Sequence, residues 1–268
     1  MIKGTIKTIK LSELQPFPEN PYKVLDNEEL QIMAESIRDY GVINPILVRP
    51  LETGGYEIIS GHRRKAACEK AELDTIPAFV SDMDRNAAVI ALVDSNLHRE
   101  HILPSEKAYA YKLKLDAIKH QGTASRQIVD KSVSADVVGL EAEESGRQVQ
   151  RYIRLTELIP PILELVDSGK IAFSPAVELS YLAKKEQADL LITMESEQAT
   201  PSLAQAQRMK KLSQDGKLNV DSIFKIMTEE KVNQAEQIRF KKDNIKSYFP
   251  KGYTAQQMEK VIMKLLED

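Results

Sequence analysis

Cysteine is nearly absent: Cys68 is the single one in 268 residues. That excludes an intramolecular disulfide and a zinc site built from clustered cysteines. No apolar run approaches the roughly 20 residues of a membrane-spanning helix, so no membrane partner is expected. The opening stretch, MIKGTIKTIKL, has no apolar segment of a secretory signal. There is no internal repeat at a solenoid period and no low-complexity tract. Net charge is also small, −3 from 37 Lys+Arg and 40 Asp+Glu, and taken alone it gives no sign of a polyanion partner. These absences predict a soluble protein of a reducing, cytoplasmic compartment. What is present is enough apolar sequence for real cores, 42%, and a length that suggests two or three domains.

The small total charge hides an uneven division. Residues 1–100 balance at −4, 101–159 at +1, 160–201 at −4 and 202–268 at +4. The shifts suggest boundaries near 100 and near 200, although solvated helix faces alone produce shifts of this size.

The first hundred residues mix the two periodicities. Asp26-x-x-Glu29 reads as a capping pair opening a helix, and Leu30, Met33, Ala34 and Ile37 follow as its apolar stripe. Gly41 is placed to end it. Ile46-Leu47-Val48 and Tyr56–Ile59 are short β-rich runs around Thr53-Gly54-Gly55, a hairpin signal, and 82–96 reads as helical again. From Pro104 the chain reads as almost entirely helical, over 104–120, 134–143, 146–157, 161–168, 175–183, 186–196 and 202–214. Breaks are expected at Gly122, Gly139, Pro160-Pro161, Gly169, Pro175 and Pro201. Residues 254–266 close the chain with one apolar face made by Met258, Val261, Ile262, Leu265 and Leu266. The predicted class is α+β.

Three clusters could carry chemistry. Ser60-Gly61-His62-Arg63-Arg64-Lys65 follows a strand and begins a helix, an arrangement that presents free backbone N–H groups to an anion, with two arginines and a lysine as further donors. A basic helix start on the surface is the competing reading. Asn96-Leu97-His98-Arg99-Glu100 could reach a phosphate, or be a solvated helix C-terminus, where cations are favoured anyway. His98 and His101 have no further ligands at metal-site spacing. In the third cluster, Ser145–Leu155, Ser145 is a plausible cap, and Val149, Tyr152 and Ile153 are expected to face inward. Arg147, Gln148, Gln150, Arg151 and Arg154 are then expected to project outward. Arg and Gln read guanine and adenine edges in a major groove, and a short helix from Ala135 before the turn completes a helix-turn-helix layout. An amphipathic helix with a wet polar face is the alternative.

In this order the clusters resemble the ParB family of bacterial plasmid and chromosome partition proteins. Gly61–Ala67 is similar to the family's G-E-R-R box, Asn96–Glu100 to its E-N-x-Q-R box, and Pro18–Lys23 to its first box. Glu28–Pro50 is similar to the stretch between them, and Gln150–Pro160 with Gly169-Lys170-Ile171 to the helix-turn-helix region. The likeness covers about residues 5–185. His62 stands where the family has glutamate, Ser95 where it has the glutamate before Asn96, and Lys23-Val24 follow Tyr22 where an arginine is usual.

The resemblance implies a small mixed α/β ParB/sulfiredoxin-like N-terminal domain (1–102) binding CTP. It further implies an all-helical DNA-binding domain (103–200) with its helix-turn-helix near 134–157, and leaves a small C-terminal domain (201–268) that could pair two chains. By matched positions Gly61, His62, Arg63, Arg64 and Arg99 would hold the triphosphate. Gly41, Val42, Asn44 and Pro45 would approach the base, and Asn96 would help place Mg²⁺. Ser145, Arg147, Gln148, Gln150, Arg151 and Arg154 would hold double-stranded DNA. A homodimer that loads at a centromere-like site, spreads as a clamp and works with a ParA-type partition ATPase is the implied assembly, in the cytoplasm on nucleoid or plasmid. With Ser95 and His62 in place of glutamates, weak CTP hydrolysis is left open. The rival expectations are a regulator using the same helix-turn-helix without partition, and a nuclease, for which no carboxylate cluster has metal-site spacing. Sulfiredoxin-type thiol chemistry is unsupported, because Cys68 lies two helical turns past Gly61 and reads as a small buried residue.

Overall fold

The computed structural model describes residues 3–97, 99, 101–124, 131–229, 249, 254, 257, 258, 261 and 262. His98, Glu100 and, from the closing apolar face, Leu265 and Leu266 lie outside the described residues.

Strands β1 (Thr5–Lys10), β2 (Leu14–Pro16), β3 (Ile46–Pro50), β4 (Tyr56–Ser60) and β5 (Thr75–Val80) form one mixed sheet in the order β1-β5-β3-β4-β2. β3 and β4 are the antiparallel hairpin expected from Thr53-Gly54-Gly55, with Gly54 and Gly55 at φ +90 and +77. β5 joins β3 in parallel, β2 joins β4 in parallel, and β1 runs antiparallel to β5. Successive strand residues face opposite sides of a sheet. Ile46, Val48, Ile58, Ile76 and Ala78 pack under α1 (Glu28–Tyr40) and α2 (His62–Lys70), against Leu30, Ala34, Ile37, Ala67 and Cys68. Leu47 and Ile59 face the other way, toward Phe17, Tyr22, α3 (Arg85–Asp94) and α4 (Pro104–Ala124). Cover on both faces explains why the apolar runs are continuous rather than alternating. Each fully buried isoleucine contributes about 1.5–3 kcal/mol.

The cap of α1 is Asn27, not Asp26: the Asn27 side chain accepts from the Leu30 N–H at 3.1 Å. Asp26 instead pairs with Lys70 of α2 at 2.8 Å. Gly41 ends the helix as expected, at φ +73.

The helical part continues with α5 (Lys131–Glu141), α6 (Gly146–Arg154), α7 (Pro160–Asp167), α8 (Phe173–Leu179), α9 (Lys184–Glu197), α10 (Leu203–Gln214) and α11 (Val220–Thr228). Three expected breaks are not breaks. α4 runs through Gly122 and α5 through Gly139, because a helical glycine costs only about 1 kcal/mol and does not stop a helix unless it turns left-handed. Gly139 serves close approach: a Cβ there would lie 2.5 Å from the Glu144 carbonyl. Pro175 sits in the first turn of α8, where its missing N–H is not needed.

Residues 1–227 form one compact unit and 228–268 a second. In the first, α7–α11 share a core with Leu155, Ile162, Leu179, Leu190, Met209 and Ile226 at its centre. In the second, Thr254 and Gln257 cap each other and Met258 is buried. Among the described residues, no helix is long and apolar enough to cross a membrane.

Candidate functional site

β4 ends at Ser60, and Gly61 turns the chain into α2 at φ +106, a conformation that disfavours any side chain. A Cβ on Gly61 would also stand 2.5 Å from Ile46 Cγ2. The turn therefore needs glycine twice over. α1, α3, α6 and α10 have side-chain caps, but α2 has none, so the first N–H groups of His62, Arg63 and Arg64 are left for other acceptors.

That helix start opens into a cleft of about 230 Å³. The cleft brings together Gly61, His62, Arg63, Arg64, Asn96 and Arg99, six of the sequence-predicted residues from two distant segments. A neighbouring cleft of about 430 Å³ shares Lys23, Arg63 and Arg99 with it and adds Glu29, His101 and Glu106. Arg63 pairs with Glu29 at 2.9 Å and keeps 30% of its side chain exposed. The Arg64 guanidinium, its pKa lowered by burial, donates to the Asn44 and Pro45 carbonyls at 2.5 and 2.7 Å. Arg99 donates to Asn96 Oδ1 at 3.4 Å, while Asn96 Nδ2 donates to the Leu92 carbonyl at 2.9 Å.

His62 accepts from the Phe17 N–H through Nε2 at 3.5 Å. Burial first, and Lys65 second, lower its pKa from 6.5 to about 4, so the ring is neutral near pH 7. Tyr22 is pushed upward by burial, with Glu106 adding to the shift. Among the described residues, the 230 Å³ cleft is lined by cations and neutral groups and by no carboxylate.

Gly41 and Val42 do not line the cleft, and Asn44 and Pro45 reach it through Arg64. Asn20, Tyr22 and Lys23 do line it, although sequence reasoning assigned them no role. Their signal was the Asn20-Pro21-Tyr22 turn, where Asn20 Oδ1 accepts from the Tyr22 N–H at 3.1 Å. Among the described residues no three His, Cys, Asp or Glu side chains gather as a metal site. A divalent cation here would need ligand oxygens from a bound phosphate, with Asn96 Oδ1 as a protein donor; that donor set suits Mg²⁺. A larger cleft, about 810 Å³ between α7 and α9, contains none of the sequence-predicted residues.

The second candidate surface is built by α5, a turn and α6. Gly146 lets the helices touch, since a Cβ there would stand 2.9 Å from the Asp136 nitrogen. Ser145 caps α6 as expected, accepting from the Gln148 N–H at 3.2 Å. Val149 is buried, and Tyr152 packs between Tyr111 and Phe173. Arg147 and Gln150 are exposed, and Gln148 is half-buried. Two arginines differ from the expected outward projection. Arg151 donates to Gln148 Oε1 at 3.0 Å and to Ser174 Oγ at 2.9 Å, stacked over Phe173. Arg154 turns to the end of α8, bonding Ser180 and lying 4.2 Å above the Tyr181 ring. Partners more than twenty residues away leave no local sequence signal.

Residues 2–97 match the ParB N-terminal domain. The chain is 33% identical over 186 residues to the chromosome-partitioning protein Spo0J of Thermus thermophilus, covering 66% of this chain and 61% of that protein. It is also 33% identical over 183 residues to a nucleoid occlusion protein of Listeria monocytogenes, covering 68% and 59%. The chain thus spans about three fifths of the length of the curated relatives it matches. The crystal structure of truncated ParB from Caulobacter crescentus complexed to the centromeric parS site aligns with a TM-score of 0.47 and 22% identity, over 76% of this chain and 98% of that one. Residues 2–97 are thus similar to the ParB N-terminal domain, and about two thirds of the chain is similar to chromosome-partitioning proteins.

Proposed function

We propose that this chain is a DNA-binding partition protein that takes CTP into the cleft at the start of α2. One observation carries the reading: the uncapped first turn of α2 opens into the same cleft as Lys23, Arg63, Arg64 and Arg99. A triphosphate would satisfy the free N–H groups and the guanidinium forks together. Arg63 would exchange Glu29 for phosphate, and Arg64, already anchored on the Asn44 and Pro45 carbonyls, would tie the loop after α1 to the bound nucleotide. Mg²⁺, where bound, would neutralise phosphate charge, with Asn96 the residue to hold it. The reading is one of nucleotide binding by these side chains.

α5 and α6 would dock on double-stranded DNA, with Ser145, Arg147, Gln148, Gln150 and Arg151 at the groove and Arg154 bracing α6 on α8. In this reading residues 1–102 bind nucleotide, 103–200 bind a centromere-like site, and 201–268 pair two chains. The homodimer closes as a clamp that slides on DNA and is moved by a ParA-type ATPase. The similarity to the Listeria nucleoid occlusion protein favours a second reading, the same DNA-binding chemistry without partition.

Calorimetric titration of CTP-Mg²⁺, with and without the cognate duplex, tests the first reading. The wild type should bind, and Arg63→Ala should bind no CTP while keeping its DNA affinity. Absence of CTP binding by the wild type, even with DNA present, removes the nucleotide role.

A further inference from the structure

Lys114 is the most deeply buried cation among the described residues, with 1% of its side chain exposed. It lies in α4 on the stripe that also carries Glu106, Ala110, Leu113 and Ala117, facing α3 and the sheet. Its ammonium pairs with Asp94, the last residue of α3. Burying an ammonium costs several kcal/mol before its partners repay it, and a pair of apolar residues would hold two helices at least as well. The location of the pair therefore matters more than its energy. A carboxylate at a helix C-terminus is poorly placed against the helix dipole, and a cation there is well placed. Lys114 supplies that cation from the neighbouring helix.

Asp94 is followed directly by Ser95 and Asn96, which line the 230 Å³ cleft. Both hang on the last turn of α3: Ser95 N–H donates to the Ala91 carbonyl at 3.0 Å, and Asn96 N–H to that of Val93 at 3.0 Å. Two turns earlier on α4, Glu106 accepts from the Lys23 N–H at 2.9 Å and so holds a second lining residue. α4 thus holds two parts of the cleft lining. We propose that the Lys114–Asp94 pair is a strut that fixes the Ser95–Asn96 wall, making Lys114 a positioning residue for the anion site. The proposal rests on the nucleotide reading for its ligand, but the strut itself is a property of the protein alone.

Lys114→Met keeps the side-chain length and removes the charge; Asp94, 42% exposed, can then rehydrate. Two measurements on the full chain decide the matter. The first is amide hydrogen exchange at Ser95 and Asn96, expected to quicken at least tenfold in Lys114→Met while α2 amides stay unchanged. The second is CTP-Mg²⁺ affinity, expected to fall about tenfold with non-specific duplex affinity within twofold of wild type. The double variant Lys114→Met/Asp94→Asn removes the charge of both members of the pair. It should regain the wild-type melting temperature yet keep the weak CTP binding. If CTP affinity returns in step with the melting temperature, or if exchange at Ser95 and Asn96 does not change, the pair is only structural and the strut is refuted. Should the wild type bind no CTP, the nucleotide reading falls, while the exchange result still judges the strut.

Discussion

Gly61 and Gly41 both sit in the left-handed region, at φ +106 and +73, but their surroundings differ. A Cβ at Gly41 meets nothing within 4 Å, whereas at Gly61 it would be 2.5 Å from Ile46 Cγ2 and 2.9 Å from Ile46 Cβ. Ile46 has no exposed surface and lies in β3, so it cannot retreat without moving the sheet. Left-handed strain in a non-glycine residue is about 1–2 kcal/mol. Forcing a methyl into a packed site adds about 1–3 kcal/mol. Gly41→Ala should therefore lose about 1–2 kcal/mol and Gly61→Ala about 2–5 kcal/mol. Urea denaturation with unchanged m-values reads the difference directly. Losses within about 0.5 kcal/mol of each other would refute the close packing of the α2 start on β3. Gly61→Ala should in addition lose CTP affinity below its unfolding transition, since the first turn of α2 must shift.

Lowering the pH should destabilise the protein through His62. Its folded pKa, about 4, lies below the unfolded value of 6.5, so the unfolded chain takes up the proton first. The stability from the neutral ring is complete above pH 6.5 and is lost as pH falls toward about 4. His62→Gln should flatten the urea midpoint over that window, and an unchanged slope would contradict the assignment. Arg151→Ala should weaken binding to the cognate duplex about tenfold in fluorescence anisotropy at physiological salt, and unchanged affinity would remove Arg151 from the interface. Gly146→Ala should push α6 off the Asp136 backbone, costing about 1–3 kcal/mol and most DNA affinity at temperatures where the chain is folded. Normal DNA binding by that variant would show that the α5–α6 contact is dispensable.

The strand–glycine–helix run at Ser60–Arg64 was legible because glycine, a preceding β-rich run and clustered arginines act locally. So was the cap at Ser145, whose hydroxyl needs only the N–H three residues on. The Asp26 cap failed by one residue, since two adjacent side chains could serve and the ion pair with Lys70 took Asp26 away. Gly122, Gly139 and Pro175 failed as breaks because punctuation residues are tolerated wherever packing or a first turn absorbs them. The small net charge is compatible with an anion site because of where the cations sit. Lys23, Arg63, Arg64 and Arg99 converge on one cleft, though residues 1–100 are acidic overall.

Propensity, capping and motif spacing act over a few residues, so the helices up to α10, the β3–β4 hairpin and the order of the three clusters were legible locally, while β1, β2, β5 and α11 were not. That Gly61–Arg64 and Asn96–Arg99 share a cleft, that Arg154 is spent on α8, and that Lys114 reaches Asp94 are products of the fold. Those contacts join residues some twenty or more positions apart, and burial, not local preference, selects them.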